Sequence, residues 1–162
     1  MNIIVARDDS GGIGKDGSIP WNFPEDLRNF QKLTTGSGNN CMIMGRKTWD
    51  SLPVRPLPNR THIVLSRTLT TLDGAILVRS LKEAMSAAEE FETCWVIGGS
   101  SIYEQMIREY PVSKVWLTQI PGCYDCDSHF RLLGDWKVLS SQHLSEQVEV
   151  VEMAPMSSED YR

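Results

Sequence analysis

The chain has 162 residues, of which 41% are hydrophobic, and its formal net charge is −5. This length allows a substantial buried core, and we expect one domain over residues 1–162. The acidic balance argues against a nucleic-acid partner, and no apolar run approaches the roughly 18 residues that a membrane span needs. We therefore expect a cytoplasmic monomer that acts on a small soluble ligand and does not bind membranes.

Short apolar runs alternate with helical patterns along the first 120 residues. The runs predict strands at Ile3–Ala6, Cys41–Met44, His62–Leu65, Ala75–Val78, Cys94–Ile97 and Val115–Ile120. The first five runs are uninterrupted, which is typical of strands buried on both faces of a parallel sheet. The segments between them predict helices at Pro24–Thr34, Arg46–Leu52, Leu81–Phe91 and Ser100–Tyr110. We therefore predict an α/β fold, with helices covering both faces of one sheet.

The C-terminal third lacks a helical pattern. Trp136–Ser141 and Val148–Met153 predict a closing pair of antiparallel strands. The polar tail, residues 154–162, is predicted to fray. Earlier in the chain, Ser80 precedes the third predicted helix and Glu83 follows three residues later, so we expect Ser80 to cap that helix in a capping box.

Among the four cysteines, only Cys123 and Cys126 have the spacing of a metal or redox pair. A zinc site needs four ligands, and His129 supplies one further candidate at most. We therefore expect ordinary reduced thiols on a turn and no bound metal, with a functional pair as the alternative.

Three predicted strands end in residues that suit a phosphate ligand. Val96–Tyr103 passes through Gly98 and Gly99 into a helix, which lets backbone N–H groups approach a phosphate. Met44–Thr48 and Leu65–Arg67 add cations and hydroxyls at the ends of two other strands. Tight turns and solvated cations remain the alternative interpretation at each place taken singly.

The common dinucleotide fingerprint, G-x-G-x-x-G followed about 20 residues later by an acid, is absent. Its nearest counterpart, Gly11-Gly-Ile-Gly14, leads into Lys-Asp-Gly-Ser and not into a helix. The glycines predict a mobile loop at this place.

Six motifs occur together in the order and at nearly the spacings of one known family, and they cover residues 1 to about 130. They are Ile13-Gly-Lys15, Ile19-Pro-Trp-Asn-Phe-Pro-Glu-Asp-Leu27, Met44-Gly-Arg-Lys-Thr-Trp-Asp-Ser51, Arg55-Pro-Leu-Pro-Asn-Arg60, Val96-Ile-Gly-Gly99 and Asp127-Ser-His-Phe130. Each motif alone is weak, but together they are specific. With them the chain resembles the dihydrofolate reductases.

The resemblance implies a single three-layer domain with an eight-stranded, mostly parallel sheet, an antiparallel C-terminal strand and four flanking helices. It also implies NADPH-dependent reduction of 7,8-dihydrofolate, with hydride transfer to C6 and protonation at N5. The product, tetrahydrofolate, would serve one-carbon metabolism and thymidylate synthesis, and antifolate inhibitors would be expected to bind.

The resemblance also assigns the site residues. Its catalytic set is Asp26, Ile19 and Trp21, with Asp26 as the acid that faces the pterin and Asp8–Asn22 as the mobile lid. The substrate-binding set is Ile4, Val5, Asp26, Leu27, Phe30, Leu52, Leu57, Arg60 and Thr118, with Arg60 pairing with the α-carboxylate of the glutamate tail. The cofactor-binding set is Ala6, Ile13, Gly45, Arg46, Lys47, Thr48, Leu65, Ser66, Arg67, Ile97, Gly98, Gly99, Ser100, Ser101, Ile102 and Tyr103. Within it, Arg46, Ser66 and Arg67 would hold the adenosine 2′-phosphate.

Two other functions remain as alternatives. A related pyrimidine reductase of riboflavin synthesis has a similar fold and uses NADPH, but it would not be expected to carry the segment around Asp26. An inactive folate- or NADPH-binding module would bind both ligands without turnover. Neither alternative accounts as well for Asp26, the glycine pair and Arg60 together.

Overall fold

The computed structural model describes all 162 residues, which form ten strands and four α-helices. The strands are β1 (Asn2–Arg7), β2 (Gly12–Gly14), β3 (Asn40–Gly45), β4 (Thr61–Leu65), β5 (Ile76–Val78), β6 (Thr93–Gly98), β7 (Lys114–Gln119), β8 (Ser128–His129), β9 (Trp136–His143) and β10 (Glu149–Pro155). The helices are α1 (Pro24–Thr35), α2 (Arg46–Ser51), α3 (Leu81–Ala88) and α4 (Ser100–Glu109). A 3-10 helix, Ser158–Tyr161, follows β10.

Eight of the strands form one central sheet in the order β5-β4-β3-β6-β1-β7-β10-β9. All neighbouring pairs from β5 to β7 are parallel, whereas β10 is antiparallel to both β7 and β9. This arrangement confirms the predicted mostly parallel sheet with an antiparallel C-terminal strand. The remaining strands, β2 and β8, form a separate two-stranded sheet.

The apolar strand residues divide between the two faces of the sheet, as the alternation of side chains requires. On β1, Ile3 and Val5 enter the larger core cluster, together with residues of α3 and α4. Ile4, between them, enters a smaller cluster on the other face, against which Phe30 of α1 packs. Burial on both faces explains the uninterrupted apolar runs in the sequence.

The predicted strands and helices are all present, with different ends in some cases. α3 ends at Ala88 instead of Phe91, where Glu89 N–H donates to the carbonyl of Ser86 and tightens the turn. Ser80 caps α3 as predicted, through its hydroxyl and the Glu83 N–H. The expected return bond of the capping box is shifted by one residue, because the Glu83 carboxylate accepts from the N–H of Arg79.

The tail differs from the expected frayed segment. Ala154 and Pro155 continue β10, paired with β9. The following 3-10 helix is held by Lys137, whose ammonium lies 3.0 Å from a carboxylate oxygen of Asp160. The hydroxyl of Ser157 also donates to Asp160. These contacts order a polar segment that has no apolar pattern to indicate its packing.

None of the helices combines the length and apolarity needed to cross a membrane.

Candidate active site

Asp26 lies in the first turn of α1, which begins at Pro24. Proline suits this position because its missing N–H has no helical partner there. Burial raises the pKa of Asp26; a hydrogen bond with the Thr118 hydroxyl lowers it, and the negative charge of Glu25 raises it further. The net effect is an increase, so Asp26 takes up a proton more readily than an exposed aspartate does.

The side chains expected around the substrate lie mostly on the α1 face of the sheet. Ile4 is buried in the smaller core cluster, and Phe30, Leu52 and Leu57 pack against that cluster. Leu27 is 56% exposed, which leaves an apolar side chain free to contact a ligand.

Val5 takes a different position from its predicted neighbours. Its side chain packs in the larger cluster on the other face of the sheet, because adjacent residues of a strand point in opposite directions. Among the predicted substrate residues, Val5 can therefore contribute main-chain groups but not its side chain to the α1 face.

Arg60 lies near the other end of α1, where it is buried, with 9% of its surface exposed. Hydrogen bonds hold its guanidinium in a fixed position. Its Nε donates to the carbonyl of Pro58 at 2.9 Å, and one terminal nitrogen donates to the Thr34 hydroxyl at 3.1 Å. The Thr34 hydroxyl in turn donates to the carbonyl of Phe30 at 2.7 Å. The second terminal nitrogen of Arg60 has no protein partner and is not enclosed, so it can bind an anion.

Two residues that support this arrangement were not identified from the sequence, namely Thr34 and His62. The Nε2 of His62 accepts the N–H of Leu57 at 3.0 Å, so Nδ1 carries the proton that faces the carbonyl of Arg60 at 3.1 Å. Burial lowers the pKa of His62 and favours this neutral form. The position of His62 close to Leu57 and Arg60 at the start of β4 was the available signal for these contacts. It was not sufficient, because polar residues in strands are common.

The glycine pair at the end of β6 is joined by a cis peptide bond. Gly98 has φ of +120°, a conformation that side chains strongly disfavour. A β-carbon at Gly98 would also lie 3.3 Å from the ring of Tyr103. Tyr103 itself is buried, and its hydroxyl donates to the carbonyl of Ile4 at 2.7 Å. Burial raises the pKa of this hydroxyl, and the negative charge of Asp26 raises it further.

The helices α2 and α4 begin at neighbouring positions on the sheet. A β-carbon on Gly99, the residue before α4, would lie 3.9 Å from the Thr48 hydroxyl of α2. A β-carbon on Gly45, the residue before α2, would lie 3.5 Å from Ile102 of α4. No side chain caps the N-terminus of α4, so its first N–H groups can bind a ligand such as a diphosphate.

The remaining residues that were predicted to bind the cofactor lie on the same helices or at the ends of nearby strands. Ser100 and Ser101 form the first turn of α4, and Lys47 lies exposed in the first turn of α2. Leu65 and Ile97 are half-buried near the carboxyl ends of β4 and β6.

Arg46, Ser66 and Arg67 lie beside the carboxyl ends of β3 and β4, which are paired strands. Arg46 and Arg67 are exposed, and Arg46 makes an exposed ion pair with Asp50 at 3.5 Å. The structure adds Arg79, which the sequence analysis missed: its guanidinium donates to the carbonyl of Ser66 at 2.8 Å. The signal was available, because Arg79 directly follows β5, the strand next to β4.

The lid, Asp8–Asn22, contains the short strand β2, which pairs with β8. Ile13 packs against the larger core cluster, and Ala6, just before the lid, packs against a third cluster that includes Trp21. Ile19 is 59% exposed. Trp21 is buried, and its ring meets that of Tyr124 edge-on at 5.4 Å between centroids. The lid therefore rests against the chain between β7 and β8.

Comparisons with known proteins agree with this geometry. The family model for dihydrofolate reductase matches residues 1–158. A putative dihydrofolate reductase of Caenorhabditis elegans is 41% identical, over 94% of this chain and 89% of its own length. The dihydrofolate reductase of Bacillus subtilis is 37% identical, over 88% of this chain and 83% of its own length.

Among solved structures, a dihydrofolate reductase from Enterococcus faecalis, complexed with NADP(H) and the compound RAB-propyl, superposes with a TM-score of 0.81. It is 27% identical and covers 94% of this chain and 93% of its own. The sheet order, the position of Asp26, the glycine pair and these matches over nearly the whole length lead to one conclusion. The chain belongs to the dihydrofolate reductase family.

Proposed function

We propose that this dihydrofolate reductase binds the pterin of 7,8-dihydrofolate at Asp26 and uses NADPH held between the starts of α2 and α4. The observation that carries the proposal is the position of Asp26, a carboxylate with a raised pKa in the first turn of α1, the helix whose Phe30 packs against the cluster that contains Ile4. The direct test is to mix the protein with NADPH and dihydrofolate and follow the NADPH absorbance. Consumption of NADPH that requires dihydrofolate supports the proposal, and its absence contradicts it.

Asp26 would orient the substrate and favour its protonation. A carboxylate can accept two charge-assisted hydrogen bonds, here from N3 and the 2-amino group of the pterin. The apolar surroundings that raise the pKa of Asp26 also exclude water and strengthen those bonds. The negative charge of Asp26 would stabilise the cationic pterin that forms when N5 takes up a proton, and this cation is a better hydride acceptor at C6.

The residues at the starts of α2 and α4 fit NADPH. The uncapped N-terminus of α4 offers N–H groups to the diphosphate, and Gly99 leaves open the space that a side chain would occupy. Gly45 and Thr48 provide the facing surface from α2. When bound, NADPH supplies the hydride from C4 of its nicotinamide.

The adenosine 2′-phosphate would lie among Arg46, Ser66, Arg67 and Arg79. Arg79 is already fixed by its bond to the Ser66 carbonyl, and Arg67 is exposed with its guanidinium free of protein partners. The Ser66 hydroxyl accepts from the N–H groups of Thr68 and Leu69, which leaves its own proton for an anion. This concentration of cations favours NADPH over NADH.

The Arg67→Ala enzyme is expected to show a Michaelis constant for NADPH raised about tenfold, because a charge-assisted hydrogen bond contributes about 1.5–3 kcal/mol. Its kinetic constants with NADH, which lacks the 2′-phosphate, should stay within twofold of wild type. Steady-state kinetics with both cofactors checks this. The matched control is Arg108→Ala, near the opposite end of α4, which should change neither. An unchanged constant for NADPH in Arg67→Ala would remove Arg67 from the 2′-phosphate site.

The α-carboxylate of the glutamate tail would pair with Arg60. Its guanidinium is oriented by Pro58 and Thr34 before any ligand arrives, so little side-chain entropy is lost on binding.

The Arg60→Lys enzyme should bind dihydrofolate at least tenfold more weakly, because lysine cannot reproduce the fork that binds Pro58, Thr34 and the carboxylate together. Dihydropteroate, which lacks the glutamate, provides the matched control substrate. Its Michaelis constant should change less than threefold in the variant. Equal losses with the two substrates would show that Arg60 stabilises the fold of the site and does not bind the glutamate tail of the substrate.

The wider role follows from the same reaction. Tetrahydrofolate made here would serve one-carbon metabolism and thymidylate synthesis, and antifolates that carry a diaminopyrimidine or pteridine ring would compete at Asp26. We place the enzyme in the cytoplasm as a monomer with one domain over residues 1–162. The net charge of −5 supports the absence of a nucleic-acid partner.

A further inference from the structure

Asp8, the first residue of the lid, has a buried carboxylate that none of the site assignments uses. It is 1% exposed and follows β1 directly. Burial by itself raises the pKa of Asp8, but hydrogen bonds from Gly12, Tyr124 and Ser10 outweigh that effect and lower it to about 2. Asp8 is therefore ionised at any pH at which the enzyme would be assayed.

The two oxygens of Asp8 bind two different segments. Oδ1 serves the lid itself: it accepts from the N–H of Ser10 at 3.0 Å, from the Ser10 hydroxyl at 2.9 Å and from the N–H of Gly12 at 2.8 Å. Oδ2 serves the loop between β7 and β8: it accepts from the N–H of Tyr124 at 3.0 Å and lies 3.7 Å from the thiol of Cys126. One carboxylate thus connects segments that are 116 residues apart.

Tyr124 also contacts the far end of the lid. Its main-chain N–H binds Asp8 at the beginning of the lid, and its ring packs edge-on against Trp21 near the end, with 5.4 Å between the ring centroids. Trp21 lies five residues before Asp26 on the chain that enters α1. Tyr124 therefore joins both ends of the lid, and Asp8 fixes the main chain that carries its ring.

Two other side-chain contacts between the segments are more exposed. The carboxylate of Asp9 accepts from the N–H of Gly122 at 2.8 Å, and the N–H of Asp16 donates to Asp127 at 2.9 Å. Hydrogen bonds in contact with water contribute less than buried ones of the same geometry. Asp8 thus supplies the most buried of these side-chain links, beside main-chain bonds such as those from the N–H of Asp9 to the carbonyl of Gly122 and from the N–H of Asp127 to the carbonyl of Gly14.

We propose that Asp8 is a positioning residue for hydride transfer: through Tyr124 it holds Trp21, and with it the lid, in the arrangement that covers the nicotinamide and the pterin. The inference rests on the function proposed above. Its physical basis is that the closed lid excludes water and fixes the reacting atoms, and a displacement of about 1 Å can cost about 100-fold in rate.

The substitution Asp8→Asn tests the bonds of the two oxygens separately. The remaining carbonyl oxygen is expected to face the three donors from Ser10 and Gly12, which preserves the turn inside the lid. The new amide group then faces the N–H of Tyr124, and two donors cannot bind each other. The variant therefore breaks the link to Tyr124 while keeping the local structure of the lid.

Asp16→Asn is the matched control. Asp16 is exposed, lies in the same lid and uses only its main-chain N–H in the contact with Asp127. The substitution makes the same change of charge and atoms, and asparagine tolerates the φ of +51° at this position.

Single-turnover hydride transfer, measured with enzyme in excess over dihydrofolate, is the first test. We expect a rate at least tenfold lower in Asp8→Asn and within twofold of wild type in Asp16→Asn. Tyr124→Leu, which keeps the N–H and removes the ring contact, should slow transfer as well. The double variant should lose less than the product of the two single effects, because both act through Trp21.

The second test uses Trp21 fluorescence in the ligand-free protein, isolated as the difference between each variant and the same variant carrying Trp21→Phe. Asp8→Asn should shift this emission to longer wavelength as Trp21 leaves its buried position, whereas Asp16→Asn should not. Because no ligand is needed, this readout holds even if wild type fails to oxidise NADPH, an outcome that would contradict the proposed function alone. An unshifted emission, or a lower unfolding temperature with unchanged hydride transfer, would overturn the role of Asp8.

Discussion

The Asp26→Asn enzyme is expected to lose about 10²–10⁴-fold of its kcat/KM for dihydrofolate and, at pH 7, to become harder to unfold. Asparagine keeps the shape of the side chain but loses one acceptor for the pterin and the ability to carry a proton. The gain in stability has a separate cause, because burial raises the pKa of Asp26 and thereby makes its ionised form unfavourable in the folded state. Catalysis and stability should therefore change in opposite directions.

The pH dependence gives the sign of this effect. A group whose pKa is raised on folding holds its proton more tightly in the folded state, so the folded state loses stability as the pH rises from the unfolded pKa toward the folded one. The advantage of Asp26→Asn should thus be small near pH 4, grow above it and stay constant once the folded Asp26 is fully ionised. Urea unfolding of both proteins between pH 4 and pH 8 measures it.

Glu25→Gln is the control for Asp26→Asn, since both substitutions remove a negative charge from the first turn of α1. Loss of a favourable charge at a helix N-terminus costs about 0.3–1 kcal/mol, so Glu25→Gln should be slightly less stable than wild type. Its kcat/KM should remain within about threefold. An Asp26→Asn protein that was less stable than wild type at pH 7, or that kept its activity, would contradict the role given to Asp26.

The second large effect is expected at the glycine pair, where the two neighbours should respond differently. Gly98→Ala places a side chain at φ of +120° and puts its β-carbon 3.3 Å from the Tyr103 ring. Unfavourable backbone conformations cost about 1–3 kcal/mol each, and displacement of Tyr103 would also disturb its bond to Ile4. We expect a less stable protein whose affinity for NADPH falls at least tenfold.

Gly99→Ala should leave the fold intact and affect the cofactor alone. Its φ of −82° is open to any residue, and the nearest neighbour of the new β-carbon, the Thr48 hydroxyl, is 3.9 Å away. The methyl group would occupy space that the diphosphate needs, so NADPH should bind at least tenfold more weakly at an unchanged unfolding temperature. Thermal unfolding and NADPH titration of both variants test the contrast. Full NADPH affinity in Gly99→Ala would exclude this place as the diphosphate site.

The sheet was predictable because its strands are buried on both faces. Runs such as Cys41–Met44 carry no polar residue, which is typical of a central strand of a parallel sheet that lies between two layers. Asp26 was predicted to be the catalytic acid for another reason, since it stands within a motif whose neighbours resemble one family. Helix ends were less predictable: α3 stops at Ala88 because of a tightened turn, although the apolar pattern continues to Phe91.

The residues that the sequence did not reveal act over long distances. Asp8 contacts Tyr124, and Arg60 contacts Thr34, 26 residues away. Local periodicity indicates which face of an element is buried, but it does not indicate which polar group meets which across the fold. For the same reason the glycines of the lid did not indicate the bond between Asp8 and Tyr124. The role of His62 could not be predicted either, because nothing in the sequence shows that its ring binds the main chain of Leu57 and Arg60.

The length of helix α1 has a further consequence under the proposed function, since it would set the distance between the two ends of the bound substrate. Asp26 lies at one end and Thr34, which orients Arg60, lies eight residues later, a rise of about 12 Å along the axis. The bond from Thr34 to the carbonyl of Phe30 fixes the Arg60 end of this span to the helix itself. With the proposed roles of Asp26 and Arg60, compounds whose ring and carboxylate are separated by the length of dihydrofolate would contact both ends at once. Shorter analogues must give up one contact, so antifolate chemists could gain affinity for this enzyme by matching that span.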